Sequence, residues 1–520
     1  MSDASVNSLS TTDETMPKNV VVILLDSLNR HLLECYGPSE FETPNVNRLA
    51  ARSVRFDRHM AGSLPCMPAR HDILVGFQDF LWRPWGSIEV WEDAITYDLR
   101  RAGVATMLVS DHPHLFEFGG ENYHTDFGAW EYLRGHEGDP WRSCPDPTWA
   151  GAPALPAERS VRAPMNYDLS RTYFRDEADF PGPKTMATAA EWLRRNHDQH
   201  ERFFLFIDEF DPHEPFDTPR PWADLYDPEW SGPRLIWPPY SRDTIANGVL
   251  SERAARQVRA NYGAKLSMID HWLGRVLDVL EETGRFADTA VVLCTDHGHY
   301  LGERDLFGKP GSPIYREMGH IPLLVAWPGV QPQRIDALTT TVDIHATLAD
   351  IFGVAVEHRT HGRSLTPLIT GGKSEVRDYV LYGYWGREVH VTDGRWRYVR
   401  RPVGKNAPLS LWSNRWSTLP LYDVGQSRFP RPDSRAVLDY YPGSTVPVLR
   451  QPFVEGDLFP FWAPAQLESN EQLLFDVEED PGESVNRAGG REEGAMRDLL
   501  RSALDSFEAP SEQLVRLGIS

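Results

Sequence analysis

The feature that most constrains the fold of this chain is a series of short, uninterrupted apolar runs separated by helical patterns. A strand that is buried on both faces, as in a parallel sheet, has this composition because neither face meets water. The runs lie at residues 20–25, 106–109, 203–207, 290–294 and 323–326. Their alternation with helices predicts an α/β fold with a large, mostly parallel central sheet sandwiched by helices.

Start and stop signals place the helices between these runs. Thr43-Pro44 begins a helix that continues to about residue 53, since proline suits the first helical turn. Further helices are predicted at about 185–196 and at about 251–282, the second ending before Gly284. Asp343 is expected to cap a helix that ends at Gly353.

A change of pattern near residue 375 predicts two structural units. Residues 18–375 form the α/β domain, and residues 376–520 form a smaller C-terminal α+β subdomain with an antiparallel sheet and a helix at about 493–507. A Pro- and Trp-rich stretch at about 401–469 has little periodicity and fits an active-site cover, a contact in a homo-oligomer or a surface insertion. Residues 1–17 are polar, lack the features of a signal peptide and are expected to form a disordered tail.

Composition excludes several classes of partner. The chain carries 53 basic and 75 acidic side chains, a net charge of −22, which argues against nucleic acid or an anionic membrane surface. No apolar run approaches the length of a transmembrane helix. The four cysteines are widely spaced, so neither a disulfide framework nor a zinc ribbon is indicated. We therefore expect a cytoplasmic protein without a nucleic-acid or membrane partner.

Polar side chains follow four of the predicted strands, at the point where each strand ends. Ligands of open α/β sheets bind beyond the carboxyl ends of the strands, so these side chains are candidates for one site. Two carboxylates and an imidazole among them suit a divalent cation such as Ca²⁺, Mg²⁺ or Mn²⁺ better than a metal that prefers thiolates. The residues that would supply those groups are Asp26, Asp296 and His297, and the other strand-end residues are Asp111, His112, His114, Asp208, Asp211 and His213.

The segment Cys66-Met67-Pro68-Ala69-Arg70 is the strongest single indication of chemistry. Pro68 suits a first helical turn and Gly76 can end the helix, so we expect Cys66 at a helix N-terminus. Free backbone N–H groups and the helix dipole favour negative charge there, and Arg70 adds a cation one turn later. A sulfur nucleophile, or a derivative of it, facing an anionic substrate would suit this position.

Taken together and in order, these segments resemble the formylglycine-dependent sulfatases of the alkaline phosphatase superfamily, over about residues 19–486. Cys66–Arg70 resembles the modification signature of that family, and Asp211-Pro212-His213-Glu214-Pro215 resembles its histidine loop. The segment from Thr295-Asp296-His297-Gly298 to Gly308-Lys309 resembles its metal-and-lysine segment, and residues 474–486 resemble its C-terminal signature. The fold implied by the resemblance is alkaline phosphatase-like.

The resemblance also implies a mechanism. A separate maturation enzyme would oxidise Cys66 to formylglycine, whose hydrated gem-diol form is the nucleophile that hydrolyses a small anionic sulfate monoester, as in arylsulfatases. One divalent cation, Ca²⁺ or Mn²⁺, would be held by Asp26, Cys66, Asp296 and His297. The implied catalytic residues are Arg70 beside the formylglycine and the transferred group, Lys309 near the non-bridging oxygens, His213 near the leaving oxygen, and His112 and His114 at the position of a family Lys-x-His pair.

Three departures from the family pattern keep the substrate open. Ser27 stands where many sulfatases have a second aspartate, His112 stands where the first lysine is expected, and His299 replaces an acid. Related phosphonate monoester hydrolases and phosphodiesterases also tolerate a single opening aspartate. The alternative function is therefore a phosphonate monoester or phosphodiester hydrolase on the same site, and a third reading is a metal-binding pseudoenzyme in which Cys66 stays unmodified.

Overall fold

The structure is a computed structural model that describes residues 16–117, 119–153, 165–309, 314–415, 433–454, 457 and 471–519. Nearly all of the predicted tail at 1–17 lies outside these residues. The strands are β1 (Asn19–Leu25), β2 (Val54–Met60), β3 (Ser63–Leu64), β4 (Ala105–Ser110), β5 (Ala129–Tyr132), β6 (Phe203–Glu209), β7 (Thr289–Cys294), β8 (Tyr300–Leu301), β9 (Phe307–Gly308), β10 (Leu323–Ala326), β11 (Gln333–Thr340), β12 (Val380–Tyr384), β13 (Val389–Thr392), β14 (Trp396–Arg400), β15 (Leu409–Trp412), β16 (Val437–Asp439), β17 (Val448–Phe453) and β18 (Leu473–Asp476).

The helices agree with the capping signals at most ends. They are α1 (Pro44–Ala50), α2 (Cys66–Val75), α3 (Ile95–Arg101), α4 (Met165–Arg171), α5 (Pro181–Asn196), α6 (Glu252–Glu282), α7 (Arg316–Gly319), α8 (Val342–Phe352), α9 (Thr366–Ile369), α10 (Glu492–Ser506) and α11 (Ser511–Arg516). The expectation that Asp343 caps α8 is wrong: Asp343 lies inside the first turn, where its carboxylate accepts the Thr340 N–H and pairs with Arg377. Among the described residues, none of the helices combines the length and the apolar character needed to span a bilayer.

An eight-stranded sheet in the order β11-β2-β10-β7-β1-β6-β4-β5 forms the centre of the fold. The five strands from β7 to β5 run parallel to their neighbours, and β10 is antiparallel to both β7 and β2. This confirms the predicted large, mostly parallel sheet. The apolar run of β10 did not reveal its direction, because a strand buried on both faces has the same composition in either orientation.

Side chains of β1 alternate between two hydrophobic cores, one on each face of the sheet. Val20, Val22 and Leu24 belong to the core that also receives α2, α3 and α8. Val21, Ile23 and Leu25 face the core built with α1, α5 and α6. This period-two alternation is the physical reason why the strand is apolar throughout, and it fixes β1 between the helical layers.

A five-stranded sheet in the order β18-β14-β13-β12-β3 forms the smaller C-terminal unit, with α10 packed against β13 and β14. Its strands are antiparallel except for β3, which runs parallel to β12. Because β3 leads almost directly into α2, residues 63–64 attach this sheet to the Cys66 segment. The confirmed fold is thus a sandwiched α/β sheet with a smaller, mostly antiparallel sheet beside it.

The stretch at 401–469 is more regular than its sequence indicates. In its described part, β15 pairs with β17 and β17 pairs with β16, forming a three-stranded antiparallel sheet. The low periodicity of this stretch predicted none of these strands within residues 401–415 and 433–454. These short strands form through pairings between distant residues, which no local periodicity signals.

Candidate metal centre and active site

The carboxyl ends of β1, β6 and β7 meet the N-terminus of α2 in a buried cluster. Asp26 follows β1, Asp296 and His297 lie just beyond β7, and Cys66 is the first residue of α2. The metal-ligating atoms of these four residues all lie within 4.8 Å of one another. The structure therefore brings together the whole set of predicted metal ligands.

The donor set and its protonation fit one divalent cation. His297 Nδ1 donates a hydrogen bond to the Gly298 carbonyl at 2.8 Å, which leaves Nε2 unprotonated at 3.3 Å from Cys66 Sγ. Burial lowers the pKa of His297 to about 4, so the ring is neutral near neutral pH. Although burial opposes ionisation, His297 and Arg70 hold the pKa of Asp296 well below its usual range. A neutral imidazole beside carboxylates is the form that binds a cation.

Asp26 is the second carboxylate of this cluster and is fully buried. Burial, and then the nearby Asp296, raise its pKa well above the ordinary value. Its Oδ2 atom accepts no hydrogen bond among the described residues and faces Arg70 Nη2 at 3.0 Å. A buried carboxylate oxygen without a donor, beside a second carboxylate, is relieved by a cation placed between the two groups.

Ser27 orients both carboxylates from a strained backbone. Its hydroxyl donates to Asp26 Oδ1 at 2.8 Å, and its N–H donates to Asp296 Oδ1 at 3.0 Å. The residue has a φ of 61°, in the left-handed region that non-glycine residues rarely adopt. Sequence reasoning treated Ser27 as a lost carboxylate and missed that it holds the two remaining ones.

Cys66 is 3% exposed at the start of α2, as its sequence predicted. Burial, and then Asp26, raise the pKa of its thiol well above the ordinary value. Lys309, 7% exposed, lies with Nζ at 3.9 Å from Cys66 Sγ and at 3.4 Å from Ser27 Oγ. An unmodified thiol at this position stays protonated near neutral pH, so it is a poor nucleophile.

The two histidines that follow β4 carry different charges. His112 is fully buried and neither ring nitrogen has a hydrogen-bond partner among the described residues. Burial, and then Arg70, lower its pKa well below the ordinary value. His114 lies between the carboxylates of Glu117 and Glu137, with Nε2 at 3.3 Å from Glu137 Oε2. Although burial opposes this, Glu117 and Glu137 raise the pKa of His114 to about 10, so the cation of the pair is at position 114.

His213 belongs to the same region through Phe210, whose ring stacks on it at 4.1 Å between centroids and also meets the His112 ring at 4.3 Å. His213 Nδ1 donates to the backbone carbonyl of Glu214 at 2.6 Å. Burial lowers the pKa of His213 well below its ordinary value. The neighbouring Glu214 carboxylate accepts from Tyr240 and lies 3.2 Å from His299 Nε2, so His299 and Glu214 form an acid–imidazole pair near the site.

Several partner residues were not assigned roles from the sequence. Asp208 was noted only as a strand-end residue, yet it binds Arg70 through two oxygens. Its signal was present, because it ends a strand next to that of Asp26. Glu137 carried no sequence signal, since it lies in a loop and reaches His114 from a left-handed backbone with a φ of 43°.

The fold and this cluster together define a hydrolase of the alkaline phosphatase superfamily. A family model described as Sulfatase matches residues 18–354, and the chain therefore belongs to the sulfatase family of sulfuric ester hydrolases. A choline-sulfatase from Rhizobium meliloti (strain 1021) is 29% identical over 417 residues, which cover 73% of this chain and 78% of the relative. An arylsulfatase from Clostridium perfringens (strain 13 / Type A) is 25% identical over 406 residues, or 70% and 81% of the two chains.

Solved structures support the same fold. The phosphonate monoester hydrolase of Agrobacterium radiobacter superposes with a TM-score of 0.61 at 20% sequence identity, covering 95% of each chain. These findings confirm the resemblance to the sulfatases and the alkaline phosphatase-like fold.

Proposed function

We propose that this protein hydrolyses sulfate monoesters with formylglycine made from Cys66 by a separate maturation enzyme and with one divalent cation, Ca²⁺ or Mn²⁺. The observation that carries the proposal is the placement of Cys66, at the N-terminus of α2 and within 4.8 Å of the ligand atoms of Asp26, Asp296 and His297. Cys66 lies beside the candidate cation ligands, and all four residues are buried. The leaving group is an alcohol or phenol.

The cation and the modified side chain supply the parts that the unmodified chain lacks. A divalent cation held by Asp26, Asp296, His297 and residue 66 would act as a Lewis acid that polarises sulfuryl oxygens and acidifies a hydroxyl. Hydrated formylglycine would supply two geminal hydroxyls, one to attack sulfur and a second whose deprotonation releases sulfate and restores the aldehyde. Neither group is available from a buried, protonated thiol.

The chain's own residues complete the electrostatics. Lys309 places its ammonium group 3.9 Å from the sulfur of residue 66, where it would offset charge on the transferred group. His213 has its Nδ1 proton committed to the Glu214 carbonyl and is otherwise neutral, so its Nε2 would have to take up a proton before giving it to the leaving oxygen. Either the neutral His112 or the cationic His114 would order the nucleophile or assist its collapse.

Two measurements on one preparation test the proposal. Mass spectrometry of the peptide that contains Cys66, from protein made in a host with the maturation enzyme, should show conversion of the thiol to an aldehyde. The same protein should hydrolyse an aryl sulfate, and the Cys66→Ala variant should fold but not turn over. An unmodified thiol together with no hydrolysis would contradict the proposal and favour a metal-binding pseudoenzyme.

Hydrolysis of phosphonate monoesters or phosphodiesters is the second candidate. Ser27 is compatible with it, because related phosphonate monoester hydrolases also tolerate a single opening aspartate, and the fold matches a phosphonate monoester hydrolase over 95% of both chains. Both substrate classes carry one negative charge on a tetrahedral centre, so one cluster of cations can serve both. Catalytic efficiency on aryl sulfate and aryl phosphonate esters with the same leaving group separates them. A preference for the phosphorus ester by several orders of magnitude would reject the sulfatase assignment.

A further inference from the structure

Arg70 is engaged by the protein on every side: four of its five N–H groups are hydrogen-bonded, and the fifth lies on Nη2, which faces Asp26. A guanidinium carries five N–H groups. Its Nη1 donates to the Cys66 carbonyl at 3.1 Å and to Asp296 Oδ2 at 3.0 Å, while Nη2 lies 3.0 Å from Asp26 Oδ2. The remaining N–H groups point to Asp208, with Nε at 2.9 Å from Oδ2 and Nη2 at 2.7 Å from Oδ1. All four charged side chains are fully buried, so water does not compete for these bonds.

Asp208 is held rigidly by the central sheet. It lies within β6, in register with Leu24 of β1 and with Ser110 of β4, in the middle of the parallel sheet. Arg70 lies one helical turn after Cys66 on α2. The two-oxygen contact with a carboxylate fixes the plane of the guanidinium as well as its position. The plane set by Asp208 therefore determines where Arg70 meets Asp26 and Asp296.

Charge balance gives Asp208 a second effect. Arg70 faces three buried carboxylates, those of Asp26, Asp208 and Asp296, so the ionised cluster keeps an excess of negative charge for a divalent cation. Loss of the Asp208 charge would reduce that excess by one. The freed Nε and Nη2 donors of Arg70 would also turn toward Asp26 and Asp296 and compete with the metal ion for their oxygens.

We infer that Asp208 is a positioning residue of the metal centre. It binds Arg70 on the side away from the proposed metal ligands. Arg70 then aligns Asp26, Asp296 and the start of α2 and does not bind the transferred group. The inference rests on the proposed cation site. It assigns the contacts with substrate oxygens to the metal ion and Lys309, and it explains how a site with Ser27 in place of a carboxylate keeps enough negative charge.

Calorimetric titration of the full-length, chelator-treated protein with CaCl₂ and with MnCl₂ tests the inference. We expect Asp208→Asn to weaken cation binding by about 10–100-fold, the usual effect of disturbing a partner of the metal ligands, which here is Arg70. Glu209→Gln is the matched control, because Glu209 is the next residue of β6, is equally buried and points to the opposite face. The cation affinity of this variant should stay within about threefold of that of the protein without substitutions, a change too small for the loss of a ligand partner.

The outcomes separate the two proposals. A flat isotherm for the unaltered protein would overturn the cation site itself. Tight binding by that protein and equal affinity in Asp208→Asn would overturn the role of Asp208 alone. If Asp208→Asn does not fold, the double variant Asp208→Asn/Arg70→Met removes the pair together, and affinity equal to that of the unaltered protein would again refute the inference. Weakened binding without a lower melting temperature of the metal-free protein supports positioning, since a merely structural residue would change stability and leave affinity intact.

Discussion

Replacing Gly298 by alanine should damage the metal centre through one added methyl group. A Cβ at this position would overlap the backbone carbonyl oxygen of Glu317 and lie 2.5 Å from Asn29 Oδ1. Neither neighbour can turn away, because Gly298 N–H donates to the Met318 carbonyl and Asn29 Oδ1 accepts from the His299 N–H. The segment that carries His297 must therefore move to make room.

The magnitude follows from the overlap. Backbone atoms have to separate by roughly 1 Å, and overpacking of this kind costs about 1–3 kcal/mol of folding free energy. The same shift moves the Gly298 carbonyl, which holds the proton on His297 Nδ1, and a misplacement of about 1 Å in a catalytic site lowers the rate by about 100-fold. We expect both losses in the same variant, with the cation affinity reduced as well.

Urea unfolding followed by tryptophan fluorescence, cation titration and steady-state kinetics measure these effects. Gly494→Ala is the control, because Gly494 lies in α10 with no atom within 4 Å of an added Cβ, and alanine should raise helix stability there by about 0.5–1 kcal/mol. The reasoning is refuted if Gly298→Ala unfolds at the same urea concentration as the unaltered protein and keeps its cation affinity and kcat/KM.

Three further predictions concern charge and metal. Lys309→Met should lower kcat by about 100- to 1,000-fold. Lys373→Met, at an exposed position, is the control and should leave kcat unchanged. Equal kcat values for the two variants would contradict a role of Lys309 in the reaction. The raised pKa of His114 gives stability that is complete below pH 6.5 and is lost as the pH rises toward about 10. Glu137→Gln lowers this pKa, so the melting temperature of the variant should change less between pH 7 and 10 than that of the unaltered protein. The same pH dependence of the melting temperature in both proteins would contradict the ion pair. Adding Ca²⁺ or Mn²⁺ at about 100 times its Kd should stabilise chelator-treated protein by about 2.7 kcal/mol, and an unchanged melting temperature would count against the cation site.

The central strands could be predicted because burial on both faces leaves a signal in each residue. Runs at 20–25 and 290–294 correspond to β1 and β7 within one residue at each end. The edge strand β5 was missed because its residues are mostly exposed and form no apolar run. The pairing of β15 with β17 was missed for a different reason: it joins residues about forty positions apart, and a single sequence carries no record of such contacts.

The metal ligands could be predicted because strand ends of a parallel sheet converge, which turns separate residues such as Asp26 and Asp296 into neighbours. The charge states could not, because they depend on partners from elsewhere in the chain. His112 and His114 look alike in the sequence, yet His112 is buried without a hydrogen-bond partner among the described residues, and His114 lies between Glu117 and Glu137. Only the folded loop at Glu137 distinguishes them.

The attachment of β3 to β12 has a consequence for the order of events during synthesis. Residues 63–64 complete a sheet whose other strands are made more than three hundred residues later, and Cys66 is enclosed once that sheet is in place. The maturation enzyme proposed above would therefore have to act on the nascent or still open polypeptide. Protein that folds before this enzyme reaches it would keep an unmodified Cys66 and stay inactive. The active fraction of a preparation would therefore depend on the rate of folding relative to the rate of maturation.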